Sequence, residues 1–230
     1  QDDATRYRSL VGKISYLCIT RFDLTYARSI LSRYLQRPTT THRNILHRVI
    51  RYIKGTLHLG LTYHATNLTQ LHAYTDSDWA ANPDTRRSVS GHLIFIGDNI
   101  LLSKSQSQHS TATSSTEAEL MAASQCGRHI SGIRQLLLDF GIVVSQPTPL
   151  FIDNAAAVLV GQQDRTNNAL RHVAIHIANV RDLAHQQVIA ITKIPGPQNL
   201  ADINTKPLPP PTFTPFRDAF MTAVAKYPVL

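Results

Sequence analysis

Glutamate is nearly missing from this chain: among 230 residues only Glu117 and Glu119 are glutamate, and thirteen aspartates carry the rest of the negative charge. Cysteine is as scarce. Cys18 and Cys126 lie far apart with no CxxC partner, which excludes a disulfide framework or a zinc knuckle and makes them small apolar residues of the interior. No run of eighteen apolar residues occurs, and Gln1-Asp2-Asp3 is not the basic start of a signal peptide, so a soluble protein with no membrane partner is expected. The two methionines, Met121 and Met221, are both internal, and a piece of a longer polypeptide is the expectation. Gly161 through Asn168 contains no phosphate-cradling pattern, so no nucleotide cofactor is implied. What is present suffices for globular cores, since 43% of the residues are apolar.

The positive charge is unevenly placed. Residues 1 to 60 hold eleven Lys or Arg against three Asp, whereas residues 61 to 230 hold twelve against twelve acids, so the whole net excess of +8 lies at the front. A module that grips a phosphate backbone beside a separate acidic site would look like this, and so would a solvated basic face. Apolar residues recur there at helical spacing in three blocks: Leu10, Val11, Ile14 and Leu17; Leu24, Ala27, Ile30, Leu31 and Leu35; Ile45, Leu46, Val49, Ile50 and Ile53. Three amphipathic helices follow, the third capped within Thr39-Thr40-Thr41 and stopped by Gly55. On it Arg43, His47, Arg51 and Lys54 form a stripe opposite the apolar face, suited to phosphates or simply to water.

Beyond Gly60 the pattern turns to strands. Leu71 to Thr75, ending at Asp76, Val89 to Ile96 and Ile100 to Ser103 predict three antiparallel strands, the last two joined by a Gly97-Asp98-Asn99 hairpin. A long helix is expected from Ser115 to Phe140, then a strand Leu150 to Ile152, helices Asn154 to Val160 and Asn168 to His185, a strand Val188 to Lys193 and a short helix from Asn199. The order predicts an α/β fold, a mixed five-stranded sheet with helices on both faces. Five prolines between Pro207 and Pro215 predict a linker, with one more helix from Phe216 to Ala225. The expected division is a helical segment over residues 1–64, the α/β domain over 65–208, and a linker with a tail over 209–230.

In such a sheet, sites form outside the carboxyl ends of strands. Asp76 and Asp153 end two of the predicted strands, Glu119 projects from the early turns of the long helix, and Asp202 follows the last strand. Like charges converging with no Lys or Arg between them call for a cation, and carboxylate oxygens suit Mg²⁺ or Mn²⁺. Two ions roughly 4 Å apart would serve phosphodiester hydrolysis. Glu117 and Glu119 are about 200° apart around a helix, so only one can face the ions. Glu119, next to the apolar run Leu120 to Ala123, is preferred; Glu117 is placed toward solvent, where it complements the helix dipole. Asp78 shares the side of Asp76 and either assists or is solvated. His172 and His176 have a metal-ligand spacing, but no Cys or carboxylate of suitable spacing completes the set, and Arg171-His172 is read as structural or as a phosphate contact.

Several stretches together are specific. Ala73-Tyr74-Thr75-Asp76-Ser77-Asp78-Trp79-Ala80, Arg86 to Gly91, Ser114 to Glu119, Asp153-Asn154 and Asn199 to Leu208 resemble the ribonuclease H domain of copia-type (Pseudoviridae) retrotransposon polyproteins. Tyr7 to Gly12 and Arg48 to Thr56 resemble the segment that joins the reverse transcriptase to that domain. The resemblance implies a ribonuclease H-like fold and a two-metal D-E-D-D nuclease that cuts the RNA strand of RNA/DNA hybrids, with Asp76, Glu119, Asp153 and Asp202 as ligands. It also implies an upstream reverse transcriptase in the same polyprotein, and a cytoplasmic virus-like particle, or the nucleus, as the location. Arg86, Arg87, Ser88, Lys104, Gln106, Ser115 and Asn154 are then expected against the hybrid. An integrase-like reading is weaker, because that order is D-D-E; a nucleic-acid-binding module without catalysis is the main alternative. The chain departs from the family at the loop Pro195 to Asn199, which lacks a histidine, at Leu102 in place of Trp, and at Asn204 in place of an aromatic residue. No Tyr-x-Asp-Asp polymerase motif occurs.

Overall fold

The helical spacing at the front is realised as α1 (Asp2–Leu17), α2 (Thr25–Ser32) and α3 (Thr40–Gly55). Their apolar stripes bury Tyr7, Val11, Ile14, Leu24, Leu31, Leu46 and Val49 in one cluster. This computed structural model describes residues 2–82, 84–162 and 174–223, and the chain divides into two compact units, residues 1–63 with 209–230 and residues 64–208.

Polar bonds complete the first unit. The Arg21 guanidinium donates to both Asp23 carboxylate oxygens, at 2.9 and 2.7 Å, and to the Thr56 carbonyl at 3.1 Å, while Tyr52 Oη donates to Asp23 Oδ2 at 2.7 Å. A buried charge is tolerable when paired and bonded in this way. The chain's final segment also belongs to this unit, which corrects the linker expectation. Residues Pro210–Asp218 form a helix, and Thr222–Ala223 pairs antiparallel with Leu59–Gly60. Pro210 and Pro211 stand in the first turn of that helix, where the missing N–H is not needed and the fixed φ suits the helix. Phe216 is buried and the Phe213 ring meets Tyr52 edge-on at 5.8 Å, so the segment packs rather than links.

The second unit holds the expected mixed sheet. The paired strands Leu59–Gly60 and Thr222–Ala223 being β1 and β7, its members are β2 (Leu71–Asp78), β3 (Val89–Ile96), β4 (Asn99–Ser107), β5 (Thr148–Ile152) and β6 (Ile189–Lys193), in spatial order β4-β3-β2-β5-β6. β2, β3 and β4 are antiparallel, whereas β5 pairs parallel with both β2 and β6. Parallel neighbours require crossovers. These are supplied by α4 (Ser115–Asp139), closed by Gly141 at φ 79°, and by α5 (Ala155–Gln162) with α6 (Ala174–His185). The expected start of α6 at Asn168, with Arg171 and His172, lies outside the described residues.

The three helices pack on one another and bury Leu120, Met121, Cys126, Ile130, Ile177 and Val180 against Ala73, Leu150, Ile152 and Ile189 of the sheet. Alternate residues of a strand face opposite ways. Ser90 accordingly binds Gln108, which reaches the Ala118 carbonyl of α4, while Gly91 faces a 3-10 helix, Leu200–Asn204, on the other side. A side chain at Gly91 would come within 2.6 Å of Thr205 and 2.8 Å of Asn204. Glycine there lets the 3-10 helix sit directly on β3. Leu102 packs against the core, and Asn204 is buried, donating to the His92 carbonyl at 3.2 Å and to Ser103 Oγ at 2.9 Å. A polar residue is therefore accommodated at this position, where the resemblance leads to the expectation of a ring.

Candidate metal centre

Asp76 was expected to end its strand, but β2 continues to Asp78 and Asp76 lies within it, opposite Gly91 of β3. Asp153 follows β5 directly, on the strand parallel to β2. Glu119 comes from the first turns of α4, positioned by two local devices. Ser114 caps the helix, accepting from Glu117 N at 3.2 Å, and Gln108, fully buried, ties the end of β4 to the Ala118 carbonyl. One oxygen from each of Asp76, Glu119 and Asp153 then lies within 4.8 Å of the others.

The hydrogen bonds within this group are incomplete. Glu119 Oε1 accepts from Ser77 N and Ser77 Oγ, each at 3.0 Å, but Glu119 Oε2 is buried with no partner. Leaving a buried carboxylate oxygen unbonded is costly, and a divalent cation between the three acids removes the cost. Burial pushes the Glu119 carboxyl well up, and the neighbouring Asp76 and Asp153 charges push it further. Asp153 is raised for the same reasons, burial first and Asp76 second. Both shifts have the same two causes, burial of the charged form first and the neighbouring negative charges second. The donor set is all oxygen, which suits Mg²⁺ or Mn²⁺.

Asp202 stands next to this trio but is engaged elsewhere. Lys206 Nζ lies 2.7 Å from Asp202 Oδ1 and 4.0 Å from Asp76 Oδ2. The expectation that no basic residue stands among the acids is thus corrected. The 3-10 helix brings position 206 back over position 202, so Lys206 enters the site from the same segment as Asp202. Burial still raises the Asp202 carboxyl, to about 7, with Asp76 adding to the rise and Lys206 opposing it. Burial works to lower the Lys206 ammonium, and Asp202 with Asp76 and Asp153 overcomes it, so its pKa is raised.

The surrounding segment is firmly held. Asn199 is fully buried, donates to the Thr75 carbonyl at 3.0 Å and accepts from Ala201 N at 3.2 Å. Thr205 Oγ1 donates to Asp76 Oδ2, fixing the other end of the turn to β2. Gly196 lies beside the site: a Cβ added there would stand 3.4 Å from Asp153 Oδ2, an ordinary contact.

Glu117 is the other correction. It is 1% exposed rather than facing solvent, and its carboxylate accepts from Thr113 N and Thr113 Oγ1 at 2.7 Å each. With Ser114 it makes a closed network at the helix start. The signal was the run Thr113-Ser114-Ser115-Thr116-Glu117, a capping pattern whose acid turns inward.

The residues expected against a substrate differ in placement. Arg86, Arg87 and Ser115 are exposed, and Lys104 and Gln106 are half-buried along β4. Ser88 instead is fully buried and its Oγ accepts from Ala80 N at 3.1 Å, bracing the turn after β2. Asn154 caps α5, its Oδ1 accepting from Ala157 N at 3.0 Å. Asp78 is half-buried and its pKa raised, chiefly by burial, with Lys206 opposing.

No family model matches the chain. It is 34% identical over 206 residues to the retrovirus-related Pol polyprotein from transposon RE2 of Arabidopsis thaliana, covering 90% of this chain and 14% of that protein. Similarity to the Pol polyprotein from transposon RE1 of the same plant is 32% over 214 residues, 93% of this chain and 15% of that one. Among solved structures, a ribonuclease H1 isolated from compost is 19% identical with a TM-score of 0.46, over 60% of this chain and 93% of that one. The chain spans about a seventh of the length of the polyproteins it matches.

Proposed function

The chain belongs to the Pol polyproteins of Ty1/copia-type retrotransposons, and from that premise we propose that residues 64–208 are a metal-dependent ribonuclease H acting during reverse transcription. Its substrate is the RNA strand of an RNA/DNA hybrid. The single observation that carries the reading is the convergence of Asp76, Glu119 and Asp153 around a buried, unbonded Glu119 oxygen. Stability alone gives no reason to crowd three acids in this way.

Asp76, Glu119, Asp153 and Asp202 are the residues that hold Mg²⁺ or Mn²⁺, two ions in all. Such ions, when bound, supply positive charge to an attacking water and to the leaving oxygen. Ser77 orients Glu119 through its backbone and hydroxyl, Thr205 orients Asp76, and Asn199 anchors the turn that carries Asp202. Exposed Arg86, Arg87 and Ser115, with Lys104 and Gln106, supply donors for phosphates and ribose hydroxyls, which distinguish RNA from DNA. An upstream reverse transcriptase in the same polyprotein delivers the hybrid, in a cytoplasmic virus-like particle.

Incubation with Mg²⁺ and a hybrid labelled on its RNA strand tests the reading. RNA fragments are expected from the wild type and none from Asp153→Asn; equal cleavage by both removes the assignment. Salt-dependent hybrid binding without any cleavage would identify a non-catalytic binding module instead.

A further inference from the structure

Lys206 is the feature of the site that a set of metal ligands does not explain. Its ammonium contacts Asp202 Oδ1 at 2.7 Å and lies 4.0 Å from Asp76 Oδ2, where a cation shared by these two carboxylates would have to compete with it. Asp202 correspondingly stays outside the group of converging oxygens that Asp76, Glu119 and Asp153 form. The backbone around it is fixed, with Asn199 bonded to Thr75 and Thr205 bonded to Asp76, so Asp202 cannot readily withdraw. The lysine can. Its side chain is 40% exposed, and a flexible four-carbon stem lets the ammonium swing to solvent without disturbing the turn.

We propose that Lys206 is a resident counter-ion of the site, holding Asp202 while no metal is bound and yielding that carboxylate when a divalent cation enters. It is a positioning residue, acting through Asp202. This inference rests on the metal-site reading above and adds a property to it. Metal affinity is set by competition with a lysine of the same chain, and Asp202 is kept ordered and paired before metal arrives. A lysine suits this use better than an arginine, whose planar fork would bind a carboxylate at two points and release it less readily.

The test is a calorimetric titration of Mn²⁺ into the full chain and into Lys206→Ala, Lys206→Gln and Lys206→Arg, with melting measured in chelator. Removing the competitor is expected to tighten Mn²⁺ binding about fivefold in Lys206→Ala and Lys206→Gln, the worth of one half-exposed ion pair. In chelator the same two variants are expected to melt below the wild type, and Lys206→Arg to bind Mn²⁺ no more tightly than the wild type. Affinity unchanged or weakened in both neutral variants overturns the proposal. Should the neutral variants fail to fold, the wild type decides: Mg²⁺ should increase modification of Lys206 by an amine-directed reagent, read by mass spectrometry, and no increase overturns the proposal. Absence of any Mn²⁺ binding by the wild type would overturn the metal-site reading as well, whereas wild-type binding lost in Asp153→Asn leaves that reading standing and makes the Lys206 variants decisive.

Discussion

Both units bury carboxylates, and they do so in opposite ways. In the first, Asp23 receives two bonds from Arg21 and one from Tyr52, a closed arrangement in which each charge has its partner. In the second, Glu119 keeps an unbonded buried oxygen beside two further acids. The first arrangement stabilises a small helical core. The second costs stability unless something positive is added, and that difference separates a structural ion pair from a site.

Breaking each arrangement should therefore have opposite consequences. Asp23→Ala leaves the Arg21 charge buried without its counter-charge, bonded only to Thr56, and a loss of about 3–5 kcal/mol is expected, measured by urea unfolding. Glu119→Gln keeps the acceptor for Ser77 and removes an ionisable group whose charged form is disfavoured by burial and by two neighbouring acids. It should raise metal-free stability by on the order of 1 kcal/mol while abolishing Mg²⁺-dependent hybrid cleavage. A destabilised Glu119→Gln protein would mean that the glutamate is structural.

The contrast extends to pH. Asp202 is raised to about 7, and Glu119 and Asp153 are also raised, so in the metal-free fold these groups hold protons that the unfolded chain has released. The contribution of Asp202 to stability is therefore present at low pH and lost as pH rises from about 4, the unfolded value, toward 7, and Glu119 and Asp153 act in the same direction. Thermal melting in chelator should show that decline, and Mg²⁺ should suppress it. Cleavage should rise over the same range as the acids ionise.

Smaller effects separate the two glutamates and the surface. Glu117→Ala removes the acceptor for Thr113 and should cost about 1 kcal/mol in thermal unfolding, with cleavage retained. Arg86→Ala with Arg87→Ala should weaken hybrid binding modestly and flatten its dependence on salt, read from binding isotherms at several ionic strengths.

Much of this was legible in sequence because periodicity reports burial directly. The spacing of Leu10, Val11 and Ile14, or of Ile45, Leu46 and Val49, is a statement about which face is apolar, and α1 and α3 follow it. The strands and the long helix follow from the same logic. Legibility stopped where a residue's partner is remote or its backbone unusual. Asp76 was expected at a strand end because nothing local marks how far pairing with Gly91 and Val89 continues. The Pro207 to Pro215 run read as a linker on composition, although prolines in a first helical turn are favourable and Phe213 and Phe216 had apolar surface to bury. Lys206 was visible as a residue but not as a neighbour of Asp202, since the 3-10 turn that stacks the two depends on Gly91 leaving room for it. Glu117 pointed inward because Thr113 offered two donors, a local bond stronger than the preference of an acid for water.

Anomalous diffraction from crystals of the chain soaked in millimolar Mn²⁺ tests the central claim most directly. The account predicts an ion bonded to Asp76, Glu119 and Asp153, with the Glu119 oxygen that now lacks a partner among its ligands. Crystals soaked in this way with no ion between those three carboxylates would contradict it.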